Sequence, residues 1–346
     1  MALLVINFGS SSVKFSLFLQ KKRLFDLTCP HKRFDSILRK VMTDTEVKAV
    51  VHRFVHGGEH RRPLLINSGK ELLELKSLID LAPLHNPLCF EGIRKSFSLR
   101  PLPQIVIFDT AFFADLPDVA TALPLPKPLL KKYQLRRYGF HGIAHEALAN
   151  AVPSGKVITL QLGSGCSITA LKARKPLDTS MGFTPLEGLV MGTRAGDLDP
   201  GVVALLASHE KNLTEILNHK SGLLALAGTS NMQEILKKKK SLAFDLFCYR
   251  AQKYIGAYVA ALGGLDSLVF SGGIGENSSK IRALLCPSWL GAKLDARKNR
   301  TAKALNPGES KLISAKGSAI KIYVVGADEN RLMAEKAFAI NKGLFE

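Results

Sequence analysis

The chain alternates short apolar runs with polar turns. Residues 3–6 (LLVI) are uniformly apolar and predict a buried strand. Asn7-Phe8-Gly9-Ser10-Ser11-Ser12 breaks the run, and apolar positions resume over 13–18, predicting a hairpin with a hydroxyl-rich turn. The same plan recurs over 157–171, VITLQLGSGCSITAL, where Gly163-Ser164 aligns with Gly9-Ser10. Two copies of one unit so far apart point to a duplicated domain.

Strands are also predicted over 47–55, 105–108, 267–270 and 320–325, with a strand and a helix sharing 21–45. Helical spacing marks 70–82, where Leu72, Leu73, Leu75, Leu78 and Ile79 share a face and Pro83 ends the pattern. Further helices are expected from Asn86-Pro87 to Arg94, over 145–150, from Asp199-Pro200, over 243–262 and over 330–339. Strands alternating with helices give an α/β class. Prolines at 117, 124, 126 and 128 make 112–135 an irregular crossing, which divides the chain into domains 1–112 and 113–329. The last helix, within 330–346, is expected to return to the first domain.

The 346 residues suffice for two cores. With 48 Lys+Arg against 29 Asp+Glu, the net charge of +19 calls for an anionic partner or a basic, solvated surface. The basic residues are scattered and match no nucleic-acid motif, which favours the surface and argues against nucleic acid as the partner. Five cysteines, none in a CxxC pair, signal neither a disulfide framework nor a zinc site. The longest apolar stretch, 254–270, is interrupted by Gly263-Gly264 and Asp266, so no membrane span is expected. The first strand begins at once, without a signal-peptide pattern, and a cytoplasmic protein is expected.

Chemistry concentrates at the turns. Gly9 permits a tight turn whose N–H groups could converge on an anion, with the hydroxyls of Ser10 and Ser12 and the charge of Lys14 beside it. An ordinary polar hairpin explains that turn equally well when it is taken alone. Asp109 follows the strand over 105–108, where open α/β sheets place ligands.

Longer motifs decide between these readings. The chain carries NFGSSSVK at 7–14, HRFVHGGE at 52–59, LAPLHNP at 81–87, FDTAF at 108–112, RRYGFHG at 136–142, DTSMGFTPLEGLVMGTR at 178–194 and GGIGEN at 272–277. In this order they closely resemble the acetate kinase family, of the acetate and sugar kinase/Hsc70/actin superfamily, over nearly the whole chain. The resemblance implies a duplicated actin-like (ribonuclease H-like) two-domain α/β fold and a homodimer. It implies reversible phosphoryl transfer from ATP to acetate, giving acetyl phosphate and ADP, with Mg²⁺ or, in its place, Mn²⁺.

By the same resemblance, Arg53 and Arg194 neutralise charge, and His141 stabilises the transition state. Asp109 orients acetate or handles a proton; acetate is already ionised at neutral pH, which favours orientation. Asn7 and Glu329 lie on the metal side. Val55, Leu84, Phe140 and Pro185 form the methyl pocket, beside Arg53. The nucleotide side comprises Ser10, Ser12, Lys14, Gln161, Leu162, Gly163, Ser164, Gly165, Asn231, Met232, Gln233, Gly273, Ile274, Gly275, Glu276 and Asn277, so the second domain carries most of it.

Two departures fall on that side. Gln-Leu-Gly-Ser-Gly at 161–165 replaces His-Leu-Gly-Asn-Gly, and Asn-Met-Gln at 231–233 replaces Asp-Phe-Arg. The chain is also trimmed between Lys14 and Arg53. Rival readings are a propionate or short-chain acyl kinase, a phosphoryl donor other than ATP, or a degenerate kinase without turnover; a nucleic-acid binder ranks last.

Overall fold

The computed structural model describes residues 2–9 and 12–340, so Ser10 lies outside the described residues. The chain divides into two compact units. The first contains the chain up to Ala114, Phe140–Ile143 and the chain from Asp328 onward; the second contains Asp115–Gly139 and Ala144–Ala327.

The first unit holds β1 (Ala2–Phe8), β2 (Ser12–Leu19), β3 (Lys22–Pro30), β4 (Val47–Phe54), β5 (Leu64–Ile66) and β6 (Gln104–Phe108), in the order β3-β2-β1-β4-β6-β5. Strands β1, β4 and β6 are parallel, and β2, β3 and β5 are added antiparallel. The parallel strands are buried on both faces over most of their length, which is why their central stretches read as apolar runs. Outer β3 alternates and is largely exposed. Helix Glu329–Ile340 packs on β1 and β4.

The second unit repeats the plan. Its strands are β7 (Lys156–Leu162), β8 (Cys166–Lys172), β9 (Lys175–Thr179), β10 (Ser267–Ser271), β11 (Ser310–Leu312) and β12 (Lys321–Val325), in the order β11-β12-β10-β7-β8-β9. Read from the other edge, β9-β8-β7-β10-β12-β11 has the sense and pairing of the first sheet. Helix Leu242–Leu262 packs on β8; Ser241 caps its start and Gly263 ends it in the left-handed conformation.

Residues 112–135 are less irregular than expected. Pro117 precedes a short helix, Asp118–Thr121, and Pro128 sits in the first turn of another, Lys127–Tyr133. At a helix start the missing proline N–H costs nothing, so these prolines initiate structure rather than break it. Among the described residues no helix is long and apolar enough to cross a membrane.

Candidate functional site

Within the first unit, three adjacent strand ends and one helix start converge. β1 supplies Asn7, β4 supplies Arg53, the turn after β6 supplies Asp109, and helix Glu329–Ile340 opens with Glu329. Arg53 Nε and Nη2 both donate to Asp109 Oδ2, at 2.9 and 2.6 Å. Its Nη1 donates to the Phe8 carbonyl (3.2 Å) and reaches Asn7 Oδ1 (3.5 Å). Asp109 is 1% exposed, and its Oδ1 accepts from Ile143 N–H at 3.3 Å. Asn7 Nδ2 donates to Glu329 Oε2 at 2.8 Å.

Burial pushes the Asp109 carboxyl above the usual carboxylate range, against the pull of Arg53. Burial also opposes the charge on Arg53, but Asp109 and Glu329 outweigh it and raise its pKa. Two carboxylates around one guanidinium leave the cluster with a surplus negative charge, which favours a cation.

The loops beside this cluster are pinned by polar residues that the sequence reading did not single out for this task. Buried Asn86 accepts from His56 N–H (3.0 Å) and donates to the carbonyls of His56 and Leu78. Thr110 Oγ1 accepts from Gly57 N–H at 3.0 Å. Burial lowers the His56 pKa to about 4, so this ring is neutral at physiological pH. Gly142 has a steric cause: a Cβ there would lie 1.9 Å from the Asp109 carbonyl oxygen. His141 adopts φ +57°, a left-handed conformation uncommon for a side-chain-bearing residue.

Of the expected methyl-pocket residues, Val55 and Phe140 are buried, Leu84 is 39% exposed, and Pro185 belongs to the second unit. The first turn departs from expectation at Gly9. Its N–H donates to the Ser12 carbonyl (2.8 Å), closing the turn, so that N–H does not point into an open concavity. Ser12 is half-buried; Lys14 is exposed and registers opposite Asn7.

Within the second unit, a cavity of about 420 Å³ is lined by Gly163, Ser164, Asn231, Met232, Gln233, Gly273, Ile274 and Asn277, together with Ser230, Leu236 and Ser278, which the sequence reading missed. Three distant segments therefore meet around one cavity. Gln161, Leu162, Gly165, Gly275 and Glu276 are not in that lining. Leu162 is fully buried in the core, and Glu276 accepts from Gly272 N–H (3.1 Å) at the start of its own helix, Gly272–Asn277. Gly272 has φ +78°, and a Cβ there would lie 2.5 Å from the Leu162 carbonyl oxygen; this is why the loop can press against the turn.

Among the described residues no charged side chain lines the cavity. Asn231 caps helix Met232–Leu236: its Oδ1 accepts from Gln233 N–H (3.0 Å) and its Nδ2 donates to Glu234 (3.1 Å). Cys166 is a poor nucleophile, because burial pushes its thiol up to about 12 while its Sγ donates to the Gly163 carbonyl. The segment over 178–194 is braced by Arg137, bonded to Glu187 at 2.7 Å and to the Thr179 carbonyl at 3.1 Å. Asp197 adds bonds to Gly188 N–H and the Tyr254 hydroxyl, each 2.7 Å. Arg194 donates to the Pro185 carbonyl (3.2 Å), and burial lowers its pKa.

Residues 29–335 match the model of the acetokinase family. The acetate kinase of Dictyoglomus turgidum is 38% identical over an alignment of 400 residues that covers 98% of each chain. The crystal structure of Porphyromonas gingivalis acetate kinase superposes with a TM-score of 0.86 at 33% identity, covering 99% of this chain and 100% of that one. A propionate kinase from Francisella tularensis gives 0.85 at 34% identity, over 97% and 98% of the two chains.

Proposed function

The chain belongs to the acetokinase family, and from that premise we propose how its residues share the reaction. The enzyme is a phosphotransferase with a carboxyl group as acceptor, moving a phosphoryl group between ATP and acetate to give acetyl phosphate and ADP. The first unit takes the acyl and metal side; the second takes the nucleotide. The observation that carries this division is the buried Arg53–Asp109 pair flanked by Asn7 and Glu329.

Transferring a phosphoryl group to a carboxylate brings two anions together, so positioning and charge neutralisation supply the catalysis. Arg53 binds acetate or phosphoryl oxygens through its planar donors and is held in place by Asp109. Asp109 already accepts three N–H groups, which suits it to orienting rather than to proton transfer. Arg194 and His141 neutralise the transferring group. Within the first unit, Val55, Leu84 and Phe140 shape the methyl pocket. Such a pocket separates acetate from propionate weakly, since one methylene is worth only ~1–3 kcal/mol.

Mg²⁺ fits the donor set of the first unit. Asn7 and Glu329 offer hard oxygens, and the surplus negative charge suits a divalent cation. Among the described residues no group of three or more His, Cys, Asp or Glu side chains could hold a metal alone. Water and phosphate oxygens would therefore complete the coordination, as Mg²⁺ prefers. When bound, it neutralises charge on the phosphates. We place the enzyme in the cytoplasm, with its ATP. Trapping acetyl phosphate as a hydroxamate across Mg²⁺ concentrations tests the whole reading; no product at any concentration overturns it.

On the nucleotide side the uncharged lining predicts tolerant, weakened recognition. Asn231 is engaged as a helix cap and carries no charge, and Gln233 has no guanidinium. Ser164 is shorter than the asparagine usual at that position. Each difference costs ~1 kcal/mol, the usual net value of one hydrogen bond. KM for ATP, GTP and ITP should lie within about an order of magnitude of one another, and Asn231→Asp with Gln233→Arg should tighten ATP. Tight, strongly ATP-selective wild-type kinetics, or no gain in the double variant, contradicts this.

A second copy of the chain is the expected protein partner. Helix Pro200–His209 buries none of its apolar residues, leaving Leu205 61% and Val202 45% exposed. An unburied apolar helix marks an association surface. Leu205→Asp should convert a dimer to a monomer in sedimentation; a wild-type monomer, or an unchanged dimer in the variant, refutes the assignment.

A further inference from the structure

Beneath the Asn7–Glu329 contact lies a row of buried polar side chains of which the proposed reaction uses only Asn7. Ser16 on β2 is 1% exposed, Asn330 at the start of helix Glu329–Ile340 is 7% exposed, and Asn7 is 5% exposed. Ser16 Oγ donates to Asp26 Oδ1 on β3, its direct register partner. Asn330 Nδ2 donates to Ser16 Oγ at 2.6 Å, and Asn330 Oδ1 accepts from Asn7 Nδ2 at 3.1 Å. Asn7 Nδ2 also donates to Glu329, while Asn7 Oδ1 faces Arg53 Nη1.

The row has a direction. The Ser16 hydroxyl donates to Asp26 Oδ1, so the Ser16 proton points toward that carboxyl oxygen. Ser16 then presents a lone pair to Asn330, which must turn its NH₂ toward Ser16 and its carbonyl oxygen toward Asn7. Asn7 in turn spends both of its N–H donors, on Asn330 and Glu329. Its carbonyl oxygen is left on the Arg53 side. Asn330 is in the first helical turn, yet its side chain crosses to the strands instead of capping the helix.

We propose that Asn330, oriented by Ser16 and Asp26, is a positioning residue that fixes the Asn7 side chain and, through it, the Glu329 carboxylate on the metal side. The inference rests on the assignment of Asn7 and Glu329 to the cation. Partners that orient a metal's ligands typically contribute 10–100-fold to affinity. Mn²⁺ occupancy, counted by EPR in the presence of ADP, gives a readout independent of turnover. Asn330→Ala should raise the Mn²⁺ concentration at half occupancy by roughly tenfold, and Ser16→Ala should raise it in the same direction by less. Asn330→Asp, which keeps the acceptor facing Asn7, should bind Mn²⁺ more like the wild type. KM for acetate should stay within about twofold in all three, because Arg53 keeps its bonds to Asp109.

A purely structural role would lower the melting temperature without moving Mn²⁺ occupancy, and that result in Asn330→Ala overturns the proposal. Should Asn330→Ala fail to fold, unchanged occupancy in Ser16→Ala overturns it equally. Glu329→Gln separates the two levels. If it too leaves occupancy unchanged, the metal-side assignment falls and takes the inference with it. If it weakens Mn²⁺ while Asn330→Ala does not, only the inference falls.

Discussion

Asp109→Asn is expected to lower kcat by about 10²-fold or more, the scale on which a preorganised electrostatic group is lost. The substitution is nearly isosteric, so the effect comes from charge and hydrogen-bond polarity. Arg53 Nε and Nη2 now converge on one Asp109 oxygen, 2.9 and 2.6 Å away. An asparagine turned to accept from them would direct its NH₂ at Ile143 N–H; turned the other way, it would oppose the guanidinium. Either way Arg53 loses its buried counter-charge and its fixed orientation. Arg53→Ala should lower kcat and also raise KM for acetate, since the group that binds the carboxylate is gone. Arg194→Ala should cost about 10²-fold in kcat, with its nucleotide KM little changed. Breaking a buried pair also costs ~3–5 kcal/mol of stability, so activity must be read below each variant's melting point. Folded Asp109→Asn or Arg53→Ala enzyme with near-normal kcat would remove that residue from the site.

The second large effect is on stability. Arg282 is 1% exposed, and all five of its N–H donors are used. Nε donates to Asn299 Oδ1 (2.8 Å), Nη1 to the carbonyls of Gly275 (2.8 Å) and Glu276 (2.7 Å), and Nη2 to those of Asn299 and Ala302 (3.0 Å). Burial lowers its pKa to about 10, which leaves it charged at neutral pH. The guanidinium closes the C-terminal end of helix Gly272–Asn277, where free carbonyls favour a cation. Methionine would fill the volume and abandon five acceptors, four of them in buried bonds. With ~1–3 kcal/mol at stake for each unsatisfied group and partial relaxation toward water, the loss should be about 4 kcal/mol or more. That is a large share of the ~5–15 kcal/mol that holds a typical domain together. The urea midpoint of Arg282→Met should fall sharply at constant slope; a change under about 1 kcal/mol would show that the carbonyls find other donors.

Much of the site was legible because its residues end strands. A parallel strand buried on both faces shows itself as an apolar run, and the residue after the run lies at the sheet's carboxyl edge. Asp109 was located by that rule, and Asn7 and Arg53 by the motifs that carry the family resemblance. The two Gly-Ser turns announced the duplication, and the matching strand orders of the two sheets carry it through the topology. Asn86, Thr110, Asn330 and Arg282 gave no comparable signal. Each is a lone polar residue in an unremarkable local pattern, and its partners stand 53 positions away for Thr110 and 314 for the Asn330–Ser16 contact. The reading of 112–135 failed for a different reason: a proline penalises a helix interior but not a helix start, and spacing alone did not reveal which applied.

The sequence by itself determined the family, the strand-turn-strand units and the residue types of the site, because these are local or motif-borne properties. Tertiary structure alone decided which hydrogen-bond donors remain available. Gly9 N–H closes its own turn, Glu276 caps its own helix, and Asn231 is engaged by Gln233 and Glu234, so none of the three is the open group that its motif implied. The physical reason is that a buried donor or acceptor must be paired, and only the folded chain determines with what.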